Sequence, residues 1–95
     1  MPENDELELL VLRQAYEDSK VSYTHILRGG NMLRDAMIAE GAFHPTKGEY
    51  VAELNGNRIA LIYEVKRNED GKKMLGIKHA RYLKGKPKAR KMVER

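Results

Sequence analysis

The dipeptide Asn55-Gly56 constrains the fold of this chain more than any other feature of its sequence. Both residue types tolerate the positive φ of a two-residue type I′ turn, and alternating apolar and polar residues flank the turn on each side. We therefore predict a β-hairpin with strands at 49–54 and 58–66. The pairs that such a turn creates are Glu53 with Arg58, Ala52 with Ile59 and Tyr50 with Leu61.

A second turn, Asn68-Glu69-Asp70-Gly71, precedes a third predicted strand at 73–82. A four-residue loop would put the apolar residues of this strand on the face opposite the apolar residues of its neighbour. A three-residue loop with Gly71 in the left-handed conformation puts both sets on one face. The hydrophobic pattern favours the shorter loop, which pairs Val65 with Leu75 and Tyr63 with Ile77.

This register assigns a face to each residue of the predicted sheet. The inner face bears Ile59, Leu61, Tyr63, Val65, Leu75 and Ile77, with His79 at its rim. The outer face bears Glu53, Arg58, Glu64, Lys66, Lys73, Lys78 and Tyr82, with Arg58 opposite Tyr82. Glu53 and Glu64 are interpreted as cross-strand charge partners.

Helical spacing of apolar residues dominates the sequence before residue 41. We predict a first helix from a cap at Asn4 or Asp5 to about Lys20, and a short second helix from Ser22 or Thr24 to Leu27 or Arg28. Gly29-Gly30 is expected to break the helix, and a third helix would run from Asn31 to Gly41 with Met32, Leu33, Ala36 and Met37 inward. The expected fold is α+β, with two or three N-terminal helices packed on a three-stranded antiparallel sheet.

The length of 95 residues fits one small domain, predicted at 1–83, followed by a basic, flexible tail at 84–95. The chain has no cysteine, which excludes a disulfide scaffold, a cysteine-ligated zinc site and a thiol nucleophile. Absence of cysteine, of a long apolar run and of a signal-peptide pattern indicates a cytoplasmic protein. The three histidines are too scattered to predict a metal site, and no cofactor is expected.

Charge is distributed very unevenly along the chain. Residues 1–20 have a net charge of −4, whereas residues 72–95 have ten bases and one acid, a net charge of +9. Clustered bases attract phosphates, so we expect the protein to bind RNA or DNA. The candidate contacts are Arg58, Lys66, Lys73, Lys78, Arg81, Lys84, Lys86, Lys88, Arg90 and Lys91. The alternative is a solvated tail that binds nothing specific.

A cluster of side chains at one end of the last two strands suggests a reaction as well. Its members are Arg58, Lys78, His79, Arg81 and Tyr82. Cleavage of a phosphodiester needs cations to stabilise the developing negative charge and a group that moves a proton. The arginines suit the first role, and His79 or Lys78 suits the second. In the simpler interpretation, Lys78 and Arg81 only bind phosphates.

The segments 58–65 and 75–82 resemble the last strands of the RelE/ParE toxin family. Members of that family are small basic proteins in which helices, usually preceded by a strand, come before an antiparallel sheet. Its ribonuclease branch cleaves messenger RNA on the ribosome with Arg, Lys, His and Tyr residues of the sheet. The resemblance therefore implies a metal-independent ribonuclease, with the five clustered residues as its candidate catalytic groups and an antitoxin as its partner.

Two further interpretations remain open. The helix order and the Asn-Gly hairpin are compatible with a winged helix-turn-helix DNA-binding regulator, in which Asn31, Arg34 and Asp35 would face the bases. The basic tail and Met32, Met37 and Met74 are compatible with a small phage- or plasmid-type inhibitor that docks on an acidic protein partner. Binding of nucleic acid without cleavage is the function that we place first.

Overall fold

The fold is a four-stranded mixed sheet with helices packed on one face. The computed structural model describes residues 7–17, 19–41 and 44–83. Its elements are β1 (Glu8–Val11), α1 (Arg13–Glu17), α2 (Tyr23–Glu40), β2 (Lys47–Leu54), β3 (Asn57–Arg67) and β4 (Lys73–Tyr82). The strand order is β1-β4-β3-β2, with β1 parallel to β4 and the other neighbours antiparallel. The predicted tail at 84–95 lies outside the described residues.

The predicted architecture of N-terminal helices on a three-stranded antiparallel sheet is wrong. The predicted first helix is replaced by β1 and the short helix α1, and β1 adds a fourth, parallel strand to the sheet. Leu9 and Val11 of β1 pack against the core, while Glu8 and Leu10 are exposed. This alternation with a period of two is that of a strand with one buried face.

The predicted helix break at Gly29-Gly30 is also wrong, because α2 runs without interruption through both glycines. Both glycines are buried, and they let the helix backbone approach the sheet closely. The helix begins after Ser22, whose side chain accepts a hydrogen bond from the backbone N–H of His25 at 3.2 Å. A single helix here removes the helix-turn-helix on which the winged-helix interpretation depends. Of the residues predicted to face inward, Met32 is exposed.

Both predicted turns are confirmed. Asn55 and Gly56 have φ values of 51° and 85°, and the three predicted pairs of the first hairpin are present. In the second hairpin Gly71 has a φ of 83°, and the backbone N–H of Asn68 donates to the carbonyl of Lys72 at 2.9 Å. The predicted pairs Tyr63 with Ile77 and Val65 with Leu75 follow.

A β-bulge in β4 changes the faces assigned to its second half. The pairing of β3 with β4 shifts between Ile62 and Tyr63, which leaves Lys78 as an extra residue. Beyond it Ile62 lies opposite His79, and Ile59 rather than Arg58 lies opposite Tyr82. The predicted positions of His79 on the inner face and Tyr82 on the outer face are therefore wrong.

The core lies between α2 and the inner face of the sheet. Its fully buried large side chains are Val21, Ile26, Leu33, Ile59, Leu61, Leu75 and Ile77. Every strand except β1 contributes fully or nearly fully buried residues, and β1 contributes Leu9 and Val11 at the margin. Within residues 7–17, 19–41 and 44–83, no helix has the length and apolar character needed to cross a membrane.

Candidate nucleic-acid interface

The sheet surface opposite the helices is the candidate interface, and we call it the outer face. Strand alternation and the bulge define its residues. They are Glu8, Leu10, Lys47, Glu49, Val51, Glu53, Arg58, Ala60, Ile62, Glu64, Lys66, Met74, Gly76, Lys78, His79 and Arg81. Both described helices contribute their buried residues to the core on the other side of the sheet.

Four of the five predicted catalytic candidates share the outer face: Arg58, Lys78, His79 and Arg81. The bulge is the reason, because without the extra residue Lys78 the side chains of His79 and Arg81 would alternate onto the helix side. His79 and Arg81 are two residues apart on one face of β4, at a Cα separation of about 7 Å. His79 lies opposite Ile62, and Arg81 lies opposite Ala60.

The fifth candidate, Tyr82, lies on the helix side of the sheet. Its hydroxyl is 3.2 Å from Nδ1 of His25, which belongs to α2. Lys73 is also misassigned, since it lies two residues before the buried Leu75 and alternates onto the same side. Because they lie on the opposite side of the sheet, Tyr82 and Lys73 cannot contact the same phosphate as the four candidates on the outer face. The predicted contacts Lys84, Lys86, Lys88, Arg90 and Lys91 fall outside the described residues.

Except for Lys47, the cations of the outer face are held in partly or fully exposed ion pairs with described residues. The Arg81 guanidinium is 2.9 Å from a Glu49 carboxylate oxygen, and Nζ of Lys78 is 3.4 Å from one of Glu64. Lys66 is 4.0 Å from the same Glu64 oxygen. Exposed pairs of this kind contribute about 0–1 kcal/mol. An incoming phosphate can therefore replace the carboxylates at small cost.

Arg58 differs from the other outer-face bases in its solvation. Its Nε is buried and makes no hydrogen bond within the described part of the chain. A carboxylate oxygen of Glu53 lies 3.7 Å away, which is close enough for an ion pair but too far for a hydrogen bond. A buried donor without a hydrogen bond is costly, and because this atom is shielded from solvent, a phosphate could contact only the exposed part of the Arg58 side chain.

A groove of about 390 Å³ crosses the outer face over Gly76. Its apolar lining comes from Leu10, Leu12 and Met74, and its charged lining includes Lys66, Lys78 and Glu64. The absence of a side chain at Gly76 creates the groove, because neighbouring strands carry side chains at the equivalent height. An apolar floor beside ammonium groups suits a flat ring attached to a phosphate.

The sequence pattern identified some of the acids of this surface and missed one. Glu53 and Glu64 were predicted as cross-strand charge partners, and their ion pairs confirm this. Glu49 was not singled out. It lies on β2 opposite Ile62, two strands away from its partner Arg81, and the bulge brings Arg81 to this face. No signal in the local sequence indicates such a pair.

Comparisons of the chain with protein-family models, with curated proteins and with solved structures found no match. The outer face itself is therefore the guide to the function of this chain.

Proposed function

We propose that this protein binds nucleic acid through the outer face of its sheet, together with the basic segment at 84–95. The single observation that carries this proposal is the bulge at Lys78, which brings His79 and Arg81 to the sheet face that already bears Arg58 and Lys78 and that the described helices leave open. Phosphates recruit arginines and lysines by charge, and arginine adds a two-pronged contact.

Binding would proceed by exchange of partners at the ion pairs. A phosphate takes the place of Glu49 beside Arg81, of Glu64 beside Lys78 and Lys66, and of Glu53 beside the exposed part of Arg58. The groove over Gly76 accepts a base or sugar next to these phosphates. Single strands fit this surface better than a duplex, because their bases are free to turn toward an apolar floor. A cytoplasmic location is part of this proposal.

The test measures the affinity for fluorescent single-stranded RNA, single-stranded DNA and duplex DNA over a range of salt concentrations. We expect a salt-dependent affinity, and Arg81→Ala should lower both the affinity and the slope of log K against log salt by about one phosphate contact. Glu49→Gln should have the opposite effect, because it frees Arg81 from its carboxylate. An affinity that does not rise in Glu49→Gln would contradict the exchange of partners.

The matched control is Arg13→Ala. Arg13 is an exposed arginine in an ion pair with Glu17, as Arg81 is with Glu49, but it belongs to α1. The variant Arg13→Ala should leave the affinity for nucleic acid unchanged. Deletion of residues 84–95 then separates the contribution of that segment from that of the sheet. If the deleted protein binds no nucleic acid and the full chain is insensitive to Arg58→Ala and Arg81→Ala, the outer face is not the binding surface.

A second candidate is a metal-independent ribonuclease of the RelE/ParE type. The observation that favours it is the position of His79, an exposed imidazole on the same face as Arg58 and Arg81. A strand and helices also come before the other strands of this sheet, as described above for that family, although here β1 pairs parallel with β4. His79 would take the proton of the attacking 2′-hydroxyl as its oxygen bonds to phosphorus, and the phosphorus–O5′ bond would break, with the released oxygen taking a proton from the imidazolium or from water. The arginines would stabilise the charge of the pentavalent phosphorus.

Cleavage is tested on RNA with and without ribosomes. His79→Ala and Arg81→Ala should each lower the rate at least about tenfold while the affinity changes much less. Arg81→Lys should not restore the rate, since an ammonium cannot make the two-pronged contact. Activity that survives the triple change of Arg58, His79 and Arg81 to alanine would remove this candidate.

A further inference from the structure

The strand β2 forms one edge of the sheet, and its backbone orientation can be derived from the turn that follows it. In a two-residue hairpin the residues that flank the turn, Leu54 and Asn57, exchange hydrogen bonds, and every second residue does the same. The bond from the Val65 N–H to the Thr46 carbonyl, at 2.7 Å, continues this alternation. Lys47, Glu49, Val51 and Glu53 therefore point their N–H and C=O groups away from β3, toward the free edge.

This edge is not protected by shortness, by a bulge or by proline, although it carries the charged side chains of Lys47, Glu49 and Glu53. It has eight residues with an unbroken register to β3, and no proline lies between 47 and 54. The opposite edge, β1, has only four residues. Natural edge strands are commonly short, bulged or interrupted by proline. The long regular edge of β2 is therefore suited to accept another strand.

The side chains of β2 select one antiparallel register with a second copy of themselves. In such a pair, directly opposed residues share a face, and like charges opposite each other are destabilising. A two-fold axis at Glu49 places this residue opposite itself, and an axis at Val51 places Glu49 opposite Glu53. An axis at Tyr50 places Lys47 opposite Glu53 twice and Glu49 opposite Val51. If the two-fold axis lies nearer to either end of β2, fewer residues of the two strands pair.

We propose that two copies of this chain associate through β2 in the register centred on Tyr50. Lys47 favours pairing with a second copy of β2, since it makes no ion pair with any described residue and would gain one with Glu53 of the other copy. Glu49 is already neutralised by Arg81 and can face an apolar residue. The dimer has an eight-stranded sheet, and its two outer faces lie on the same side because the two-fold axis is perpendicular to the sheet.

The test measures the mass of the protein by analytical ultracentrifugation from the low micromolar to the millimolar range, without nucleic acid. The wild type should dimerise reversibly. Lys47→Glu and Glu53→Lys should each weaken the dimer about tenfold or more, because each change creates two like-charge pairs. The double variant restores opposite charges at both pairs and should return to the wild-type dissociation constant. Failure of this rescue would overturn the register.

A pair of proline variants tests the edge itself. Val51→Pro removes an N–H that points to the free edge, so the monomer should keep its circular dichroism spectrum and lose the ability to dimerise. Ala52→Pro removes an N–H that bonds to β3 and should unfold the chain, which confirms the assigned alternation. A wild type that stays monomeric throughout, or a Val51→Pro variant that still dimerises, overturns the proposal. Because no nucleic acid is present, this outcome is independent of the proposed binding function.

Discussion

Replacement of each helical glycine by alanine should change the stability in different directions. In a helix interior alanine is favoured over glycine by about 1 kcal/mol. A Cβ added at Gly29 would lie 3.0 Å from Cδ1 of Leu61 and 3.3 Å from Cβ of Ala52. Leu61 is completely buried and Ala52 has no side-chain torsion with which to move away. Overpacking of a tight core costs about 1–3 kcal/mol, so Gly29→Ala should destabilise the protein by about 1 kcal/mol.

Gly30→Ala meets a different neighbour. The added Cβ would lie 3.0 and 3.1 Å from the two terminal carbons of Leu9, and 3.6 Å from Ile77, which is an ordinary contact. Leu9 belongs to the short edge strand β1 and is only partly buried, so a small rotation relieves the contact. The gain in helix propensity should then prevail. We expect Gly30→Ala to be neutral or to stabilise by up to about 1 kcal/mol.

Thermal and urea unfolding, followed by circular dichroism at 222 nm, measure both variants. In a domain of this size 1 kcal/mol corresponds to a shift in Tm of about 4–8 °C. We expect the Tm of Gly29→Ala to lie below that of the wild type, and the Tm of Gly30→Ala to equal or exceed it. Equal destabilisation by both variants would indicate a helix that breaks at the glycines. Equal stabilisation would show that α2 does not approach the sheet at Gly29.

Three further predictions each concern one residue. Gly71→Ala should destabilise by about 1 kcal/mol in urea unfolding, because the φ of 83° in this turn is unfavourable for a residue with a Cβ. Ser19→Ala should cost about 1–2 kcal/mol, because the hydroxyl that donates to the Ala80 carbonyl at 2.9 Å ties the segment between the helices to β4. Burial, with a smaller effect of Glu40, raises the pKa of Tyr63 above its ordinary value of 10.0. The protonated Tyr63 therefore stabilises the folded state fully below pH 10, and this contribution is lost as the pH rises through the raised pKa of the folded state. Above pH 10, the free energy of unfolding should fall more steeply with pH in the wild type than in Tyr63→Phe.

The parts of the fold that sequence patterns predicted are those fixed by local chemistry. The turns at Asn55-Gly56 and Gly71 need a positive φ, and the residue types allow little else. Once the turns are placed, strand alternation determines the register of the first hairpin, and that of the second hairpin as far as the bulge. The same chemistry predicted Ser22 or Thr24 as the cap of a short second helix and Gly41 as the end of a third, and Ser22 and Gly41 are the two caps of the single helix α2.

The parts that were missed depend on contacts between distant segments. Before residue 12, the spacing of Leu7, Leu10 and Val11 fits a helix, whereas Leu7, Leu9 and Val11, which pack against the core, have the spacing of a strand. Parallel pairing of β1 with β4 leaves no turn signal nearby. The cost of Gly29 and Gly30 in a helix is offset only by close packing on the sheet. The bulge at Lys78 is a single extra residue that no local residue type predicts, yet it determines the face of the sheet on which His79 lies.

The parallel pair of β1 and β4 has a consequence for the order in which the molecule folds. Glu8 lies beside Met74, so the first strand cannot dock until almost the whole described chain has been synthesised. The two hairpins close over short loops and can form early, whereas closure of β1 requires a loop of more than sixty residues. We expect the amides of β1 to exchange with deuterium through a local opening of lower energy than global unfolding, and to be the last to become protected during refolding.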